Sequence, residues 1–278
     1  MQSLGGVTRV GTALAAGIPR HSLRRAIASG ELLRPRKGWV CLPGTAPRVL
    51  EALGRGCRVG CVSALAHHGV WILDDTIPHL AMPRHAGRPG EGAHRCSPSW
   101  AQHPEPIERI PDALLQAVLC CDREAALCAI DSVLNRGRMT LRDVQTLLGS
   151  LPPRFASLID ELDPASESGI ETLVRVRLRR RGLAIQSQVL IAGFRVDLVV
   201  GDRLVIEADG RRWHDDADTF EADRRRDLDL ARLGYIVVRL SYDQVVRQWA
   251  LVELTLLALV RRGEHHWRAV HRAEGLVH

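Results

Sequence analysis

Apolar residues recur at helical spacing in two short stretches near the start of the chain: Val10, Ala13 and Leu14 within residues 8–16, and Leu23, Ala26 and Ile27 within residues 20–29. Spacings of three and four put each set on one helix face. Thr8 is a candidate N-cap for the first helix. Gly17-Ile18-Pro19 separates the two, Pro19 suits the opening turn of the second, and Gly30 ends it. Residues 32–34 and 39–41 then read as short strands around a basic turn, Pro35-Arg36-Lys37-Gly38. The pattern predicts a winged helix-turn-helix over residues 1–42. Its second helix carries Arg20, His21, Arg24 and Arg25 opposite the apolar stripe, and its wing carries Arg34, Arg36 and Lys37. A basic helix beside a basic wing suits groove docking with phosphate anchoring, although an ordinary solvated face gives the same pattern.

Residues 43–152 predict a mixed α/β middle lobe, mainly helical. Helices are expected over 62–69, 112–121, 123–135 and 140–149, with a strand over 78–83 and an exposed Gly/His/Pro-rich loop over 84–98. Thr140-x-x-Asp143 has the capping-box form. No catalytic constellation stands out there. Pro152-Pro153 marks a boundary, and residues 160–278 form the third piece.

In that piece a helix is expected over 165–181, opened by Asp163-Pro164, with Ile170, Leu173, Val174 and Leu178 as its stripe. Glu167 and Glu171, four apart, stack on one side. Arg175, Arg177, Arg179, Arg180 and Arg181 make a basic end that suits the helix dipole or phosphate. Strands follow over 184–191, 194–200 and 203–209, then a helix over 218–233, a strand over 235–240 and a long helix over 243–262. The order is α-β-β-β-α-β-α, and the fold class is α/β, α+β overall.

Three acids fall on the second and third of these strands. Side chains alternate faces, so Arg195, Asp197 and Val199 share one face, as do Val205, Glu207 and Asp209 in the next strand. A two-residue turn at Gly201-Asp202 sets Asp197 opposite Ile206 and scatters the acids. A three-residue loop, 201–203, sets Asp197 opposite Glu207 and Leu198 opposite Ile206, giving one apolar and one acidic face. The second register is expected. Opposed like charges destabilise a strand pair, so either a bound cation or nearby arginines must satisfy them. Asp197, Glu207 and Asp209 are hard oxygen ligands of the kind that suits Mg2+ or Mn2+. A cation there supports phosphodiester hydrolysis, with His214 as general base or stabiliser of the leaving oxygen. Arg226 and Arg239 either grip phosphate or pair with Asp223 or Asp227.

Composition adds limits. The chain has 278 residues, 46% hydrophobic and 25% charged, enough for real cores. It lacks the run of about 18 apolar residues that a membrane span needs, and residues 1–6 lack a signal-peptide pattern, so a cytoplasmic location is expected. A net charge of +6 favours an anionic partner. Lys37 is the only lysine. The seven cysteines lie between Cys41 and Cys128 and read as reduced thiols, with Cys57-x3-Cys61 followed by His67 and His68 as the zinc alternative.

Ala15-Ala16-Gly17-Ile18, Leu23-Arg24-Arg25-Ala26-Ile27, Gly30-Glu31-Leu32 and residues 34–40 resemble the winged-helix domain of AbiE-type (type IV toxin–antitoxin) antitoxins. The resemblance implies DNA binding, and leaves a toxin partner or a homo-oligomer open. Residues 196–199, 204–210, His214, Phe220, 223–226, Leu230, Gly234-Tyr235 and Val238-Arg239 look like the Vsr-like branch of PD-(D/E)XK nucleases. Carried over, Asp197 matches the core metal-binding aspartate, Glu207 the second acid, Glu171 the acid on the preceding helix and His214 the histidine of that branch. The superfamily's lysine, two residues after the second acid, is Asp209 here. The expected function is a metal-dependent DNA endonuclease with DNA delivered by the winged helix. The alternative is a non-catalytic antitoxin-like regulator on a nuclease-like scaffold; an RNA-directed nuclease is a third reading.

Overall fold

The computed structural model describes residues 6–82, 93–95, 105–209, 217–273 and 276. The chain divides into two compact units, Met1–Ala129 with Arg142–Phe155, and Ile130–Leu141 with Ala156–His278. The winged helix and the middle lobe, read as separate pieces from sequence, thus cluster together.

The first unit opens with β1 (Val7–Arg9), α1 (Val10–Ala15), α2 (Arg20–Ala28) and β2 (Trp39–Cys41). Ala13, Leu23, Leu32 and Val40 form its first core, with Val10, Leu14, Ile18, Ala26 and Ile27 packed around it. Both expected helices are present, but Thr8 does not cap the first. It lies in β1 opposite Val40 and is buried with Val7, while Arg9 takes the N-cap position without a side-chain bond. Burying Val7 and Thr8 on the wing outweighs one capping bond, since β-branched residues suit a strand. The expected strand at 32–34 reduces to one bridge, Leu33 to Cys41.

There follow α3 (Pro47–Gly54), β3 (Arg58–Val59), α4 (Cys61–His67), β4 (Leu80–Met82), β5 (Ala93–Arg95), α5 (Ile110–Cys120), α6 (Arg123–Asn135) and α7 (Leu141–Gly149). The helix α3, opened by Pro47 at its first turn, was not expected. The stretch read as a loop over 84–98 contributes β5, paired parallel to β4.

The second unit takes up the C-terminal part of α6 and continues from the 3-10 helix Pro153–Glu161 into α8 (Gly169–Arg179), β6 (Ile185–Ile191), β7 (Phe194–Val200) and β8 (Leu204–Asp209). Then come α9 (Ala217–Arg232), β9 (Ile236–Ser241), α10 (Tyr242–Arg247), α11 (Trp249–Arg261) and α12 (Ala269–Ala273). The sheet order is β6-β7-β8-β9, with the first two pairings antiparallel and β8–β9 parallel across α9. The β6–β7 hairpin turns at Ala192 and Gly193, both at positive φ (49° and 88°), as a two-residue hairpin turn requires. Leu198 pairs with Ile206, Val199 with Val205 and Val200 with Leu204, so the β7–β8 connection has three residues and the expected register holds. Gly201 makes that connection possible. Its φ is +66°, and a β-carbon there would run into the His265 carbonyl oxygen.

The helix before the sheet starts later than its pattern suggests. The Asp163 carboxylate accepts the Ala165 N–H at 3.0 Å while its own N–H donates to Asp131 Oδ1 at 2.9 Å, an arrangement that makes a turn. Ser168 is the N-cap of α8, its hydroxyl accepting the Glu171 N–H at 3.3 Å. Glu167 therefore lies outside the helix and does not stack on Glu171. The expected long last helix is two helices. Ser241 and Gln244 form a capping box for α10, and Gln248 leaves helical geometry at φ −120°.

Four arginines of the basic end of α8 and the residues after it are bonded within the unit. Arg175 is fully buried, donating to Asp131 Oδ2 at 2.6 Å and to the Glu161 carbonyl at 2.7 Å. Arg177 donates to the Val245 carbonyl and lies over Trp249; Arg179 donates to the Ile185 carbonyl; Arg181 grips Glu253 with two bonds.

Candidate active site

Strand β8 is buried at every position from Leu204 to Ala208, so both sheet faces are covered. Val199 and Val205, opposed across β7 and β8, pack with Leu230 of α9 and with Val237. Two residues further along the same faces lie Asp197 and Glu207. The acidic face of the sequence reading is thus apolar over most of its length and acidic only at one end, where the β6–β7 and β7–β8 ladders both falter. The pairing skips Gln188 and Asp197 and stops at Leu198–Ile206. Asp197 instead turns its Oδ2 to the Ala208 N–H at 2.8 Å. Gln188 adopts a positive φ of 53°, a strained position for a residue with a side chain.

That strain brings Gln188 onto an acid. Its Nε2 donates to Glu171 Oε2 at 2.9 Å, and the Glu167 N–H donates to the same oxygen at 3.0 Å. Glu171, third residue of α8 and 4% exposed, is thereby aimed at the sheet end. Burial first, and then the charge of Asp197, push its pKa up to about 7. Glu207, also 4% exposed, is pushed to about 7 by the same two causes in the same order. Burial raises Asp197 as well, against the lowering effect of the Ala208 N–H. Glu171 of α8 and Glu207 of β8 therefore both sense Asp197 of β7.

Arg226 of α9 answers part of this charge. Its Nη2 meets Glu207 Oε1 at 2.5 Å and the Arg195 carbonyl at 2.6 Å. The short ion pair lowers the Glu207 pKa, yet burial and Asp197 outweigh it. Arg239, opposite Glu207 in β9, holds Asp227 with two bonds at 2.8 and 2.9 Å and reaches Asp209 at 3.3 Å. Both arginines thus have intramolecular carboxylate partners. Asp209 is half exposed and turned to Arg239. Among the described residues, no three of these carboxylates bring ligand oxygens within 4.8 Å of one another. Asp197, Glu207 and Glu171 are instead bonded to Ala208, Arg226 and Gln188. His214 lies outside the described residues. Gln188 was missed from sequence, where it reads as a plain strand residue.

In the first unit, Arg20, His21, Arg24 and Arg25 are all exposed, opposite the buried Leu23. Arg34, Arg36 and Lys37 are exposed too. Among the described residues, none of the four on α2 forms an ion pair. Arg36 differs, since its guanidinium fills the space that a β-carbon on Gly56 would need. The zinc pattern read from sequence does not assemble. Cys57 bonds the Arg55 carbonyl, and His68 Nε2 bonds the Glu108 carbonyl oxygen at 2.7 Å.

Two family models match the chain. Residues 171–258, from Glu171 through most of α11, match the restriction-endonuclease-like family REase_MTES_1575. Residues 2–43 match a family described as "Transcriptional regulator, AbiEi antitoxin". No curated protein matches the chain. The chain is therefore similar to an antitoxin-type regulator at one end and to a restriction-endonuclease-like domain at the other.

Proposed function

We propose that the second unit is a divalent-metal-dependent DNA endonuclease of the PD-(D/E)XK type and that the winged helix binds its DNA. One observation carries this reading. Glu171, Asp197 and Glu207 come from three elements to one sheet end, and each has a pKa raised by burial, two of them further by Asp197. Buried acids that repel one another are a pattern of functional sites.

The donor set fits a hard cation. Asp197 and Glu207 would hold Mg2+ or Mn2+, with Glu171 beside them, and these oxygens offer no soft ligand. A cation bound there lowers the pKa of an attacking water and neutralises charge on the phosphate. The chain's own groups supply the remaining work. Arg226 is held by Glu207, and its guanidinium becomes available to a phosphate oxygen once Glu207 has another positive partner. Glu171, with a pKa of about 7, can exchange a proton near neutrality. His214 remains the candidate general base, and among the described residues Arg239 reaches Asp209, the position where the superfamily has lysine, at 3.3 Å. An arginine there stays protonated and serves as a charge, never as a base.

A second reading is a DNA-binding regulator whose nuclease-like domain is a scaffold. The Arg226–Glu207 pair favours it, because Glu207 already has one cationic partner within the chain. The test incubates the full chain with supercoiled plasmid, nicked and mismatched DNA in Mg2+, in Mn2+ and in chelator. Metal-dependent cutting is expected, reduced more than about 100-fold by Asp197→Asn or Glu207→Gln, beyond the 10–100-fold usual for losing a neighbour of a ligand. Absence of cutting with tight, salt-dependent binding supports the scaffold reading. Cutting that survives in both variants removes the site.

A further inference from the structure

The first unit gathers soft ligands at a place that has no part in the reading above. Cys61, His79 and Cys120 each point a ligand atom to one spot, all within 4.8 Å of one another. Cys120 Sγ and His79 Nδ1 are 3.8 Å apart. Cys121 joins them through hydrogen bonds with both Cys61 and Cys120. Two thiols and an imidazole thus converge from the first turn of α4, the residue before β4 and the C-terminal end of α5, and a third thiol, Cys121, stands beside the two sulfurs.

We propose that Cys61, His79, Cys120 and Cys121 form a zinc site. The type and number of ligands are those of a closed structural site, three sulfurs and one nitrogen. With Zn–S near 2.3 Å and Zn–N near 2.0–2.1 Å, a tetrahedron has edges of about 3.6–3.8 Å. The Cys120–His79 separation already matches, and the widest separation allowed in the trio closes by side-chain movements of about 1 Å.

Two features prepare the site. Cys61 has φ +50°, a left-handed conformation that a β-carbon disfavours and that would suit glycine or asparagine better. Its N–H donates to Glu108 Oε2 at 3.3 Å, and Gln116 Nε2 donates to Glu108 Oε1 at 2.9 Å, so a buried hydrogen-bond chain holds Cys61 in place. The His79 N–H donates to Ser63 Oγ at 2.9 Å, which fixes the backbone that bears the imidazole. Access comes from the Cys120 side, because Cys61 is buried while Cys120 is exposed. The bound ion would tie α4, β4 and α5 together in a unit whose strands are only two and three residues long.

The experiment uses untagged full-length protein, made with zinc in the medium and purified under reduction. Metal content by mass spectrometry should be about one zinc per chain, and cobalt exchanged into the site should show thiolate-to-metal charge transfer and tetrahedral visible bands. Cys120→Ser and Cys121→Ser should each lower zinc affinity at least about 10-fold, judged by competition with a chromogenic chelator. Cys57→Ser, outside the cluster, should keep it. Cobalt spectra on the unsubstituted chain need no variant to fold. Protein that takes up neither zinc nor cobalt, stoichiometric zinc retained by Cys120→Ser/Cys121→Ser, or a Cys61–Cys121 disulfide persisting under reduction would overturn the proposal.

Discussion

Replacing Glu207 by glutamine should stabilise the metal-free protein at pH 8. Glu207 is 4% exposed, and burial with the neighbouring Asp197 lifts its pKa from 4.5 to about 7. The folded state thus holds a proton that the unfolded state releases near pH 4.5, and stability falls wherever the folded state binds more protons. The contribution is fully present below pH 4.5, is lost as pH rises through about 7, and stays lost above it. A rise from 4.5 to about 7 corresponds to about 3 kcal/mol, with the Arg226 ion pair already included because it acts on the same carboxyl. Glutamine keeps the shape and removes the ionisation. In chelator, Glu207→Gln should therefore match the unsubstituted protein near pH 4.5 and exceed it by about 3 kcal/mol at pH 8, in urea denaturation across pH. Mg2+ should narrow the gap, since an ion that binds the folded carboxylate stabilises only the unsubstituted chain. A variant less stable at pH 8, or a difference that does not change with pH, would refute the reasoning. The first outcome would mean that the Arg226 pair, and not burial, dominates at Glu207.

The cleavage rate at fixed Mg2+ should rise between about pH 6 and 8 as Glu171 and Glu207 lose protons, and excess Mg2+ should move the rise to lower pH; a flat profile speaks against these acids as ligands. Arg175→Ala should destabilise by about 3–5 kcal/mol in urea, because it leaves Asp131 buried without its cation, whereas Arg175→Met with Asp131→Leu should recover most of the loss. Arg24→Ala and Arg25→Ala should each weaken DNA binding across sequences and lower the salt slope by about one, measured by fluorescence anisotropy. Arg36→Ala should do less, since its guanidinium is turned onto Gly56.

Much of the second unit was legible because its rules are local or periodic. Alternation along β7 and β8, with one apolar face to satisfy, leaves a single register, and Leu198 opposite Ile206 follows from it. Helix bounds were less legible where a side chain decides them. Ser168 starts α8 rather than Asp163-Pro164, and the Ser241–Gln244 box with Gln248 splits the last helix. The roles of the arginines were not legible at all. Arg175 and Arg181 share a basic stretch in the sequence, yet one is fully buried against Asp131 and the other clasps Glu253 at the surface. Partners 44 and 72 residues away leave no trace in local pattern. The same holds for Cys61, whose sequence neighbours Cys57 and His67 suggested one metal set while the fold brings His79 and Cys120.

The energetics of the acids bear on the choice between enzyme and scaffold. Glu171 and Glu207 each carry a pKa near 7 inside the fold, so at pH 8 each ionised carboxylate costs about 3 kcal/mol against its unfolded form. Typical domains have only about 5–15 kcal/mol of net stability, and one glutamine would relieve a sizeable part of that burden. A domain serving only as a scaffold gains nothing from the charge, and Arg226 compensates it incompletely. A cation that binds Asp197 and Glu207 reverses the sign, since the repulsion that raises their pKa becomes the attraction that holds the ion. The unfavourable metal-free state then sets how strongly the site calls for a cation. On that ground a cation at Asp197 and Glu207 accounts for the retained acids better than a scaffold does.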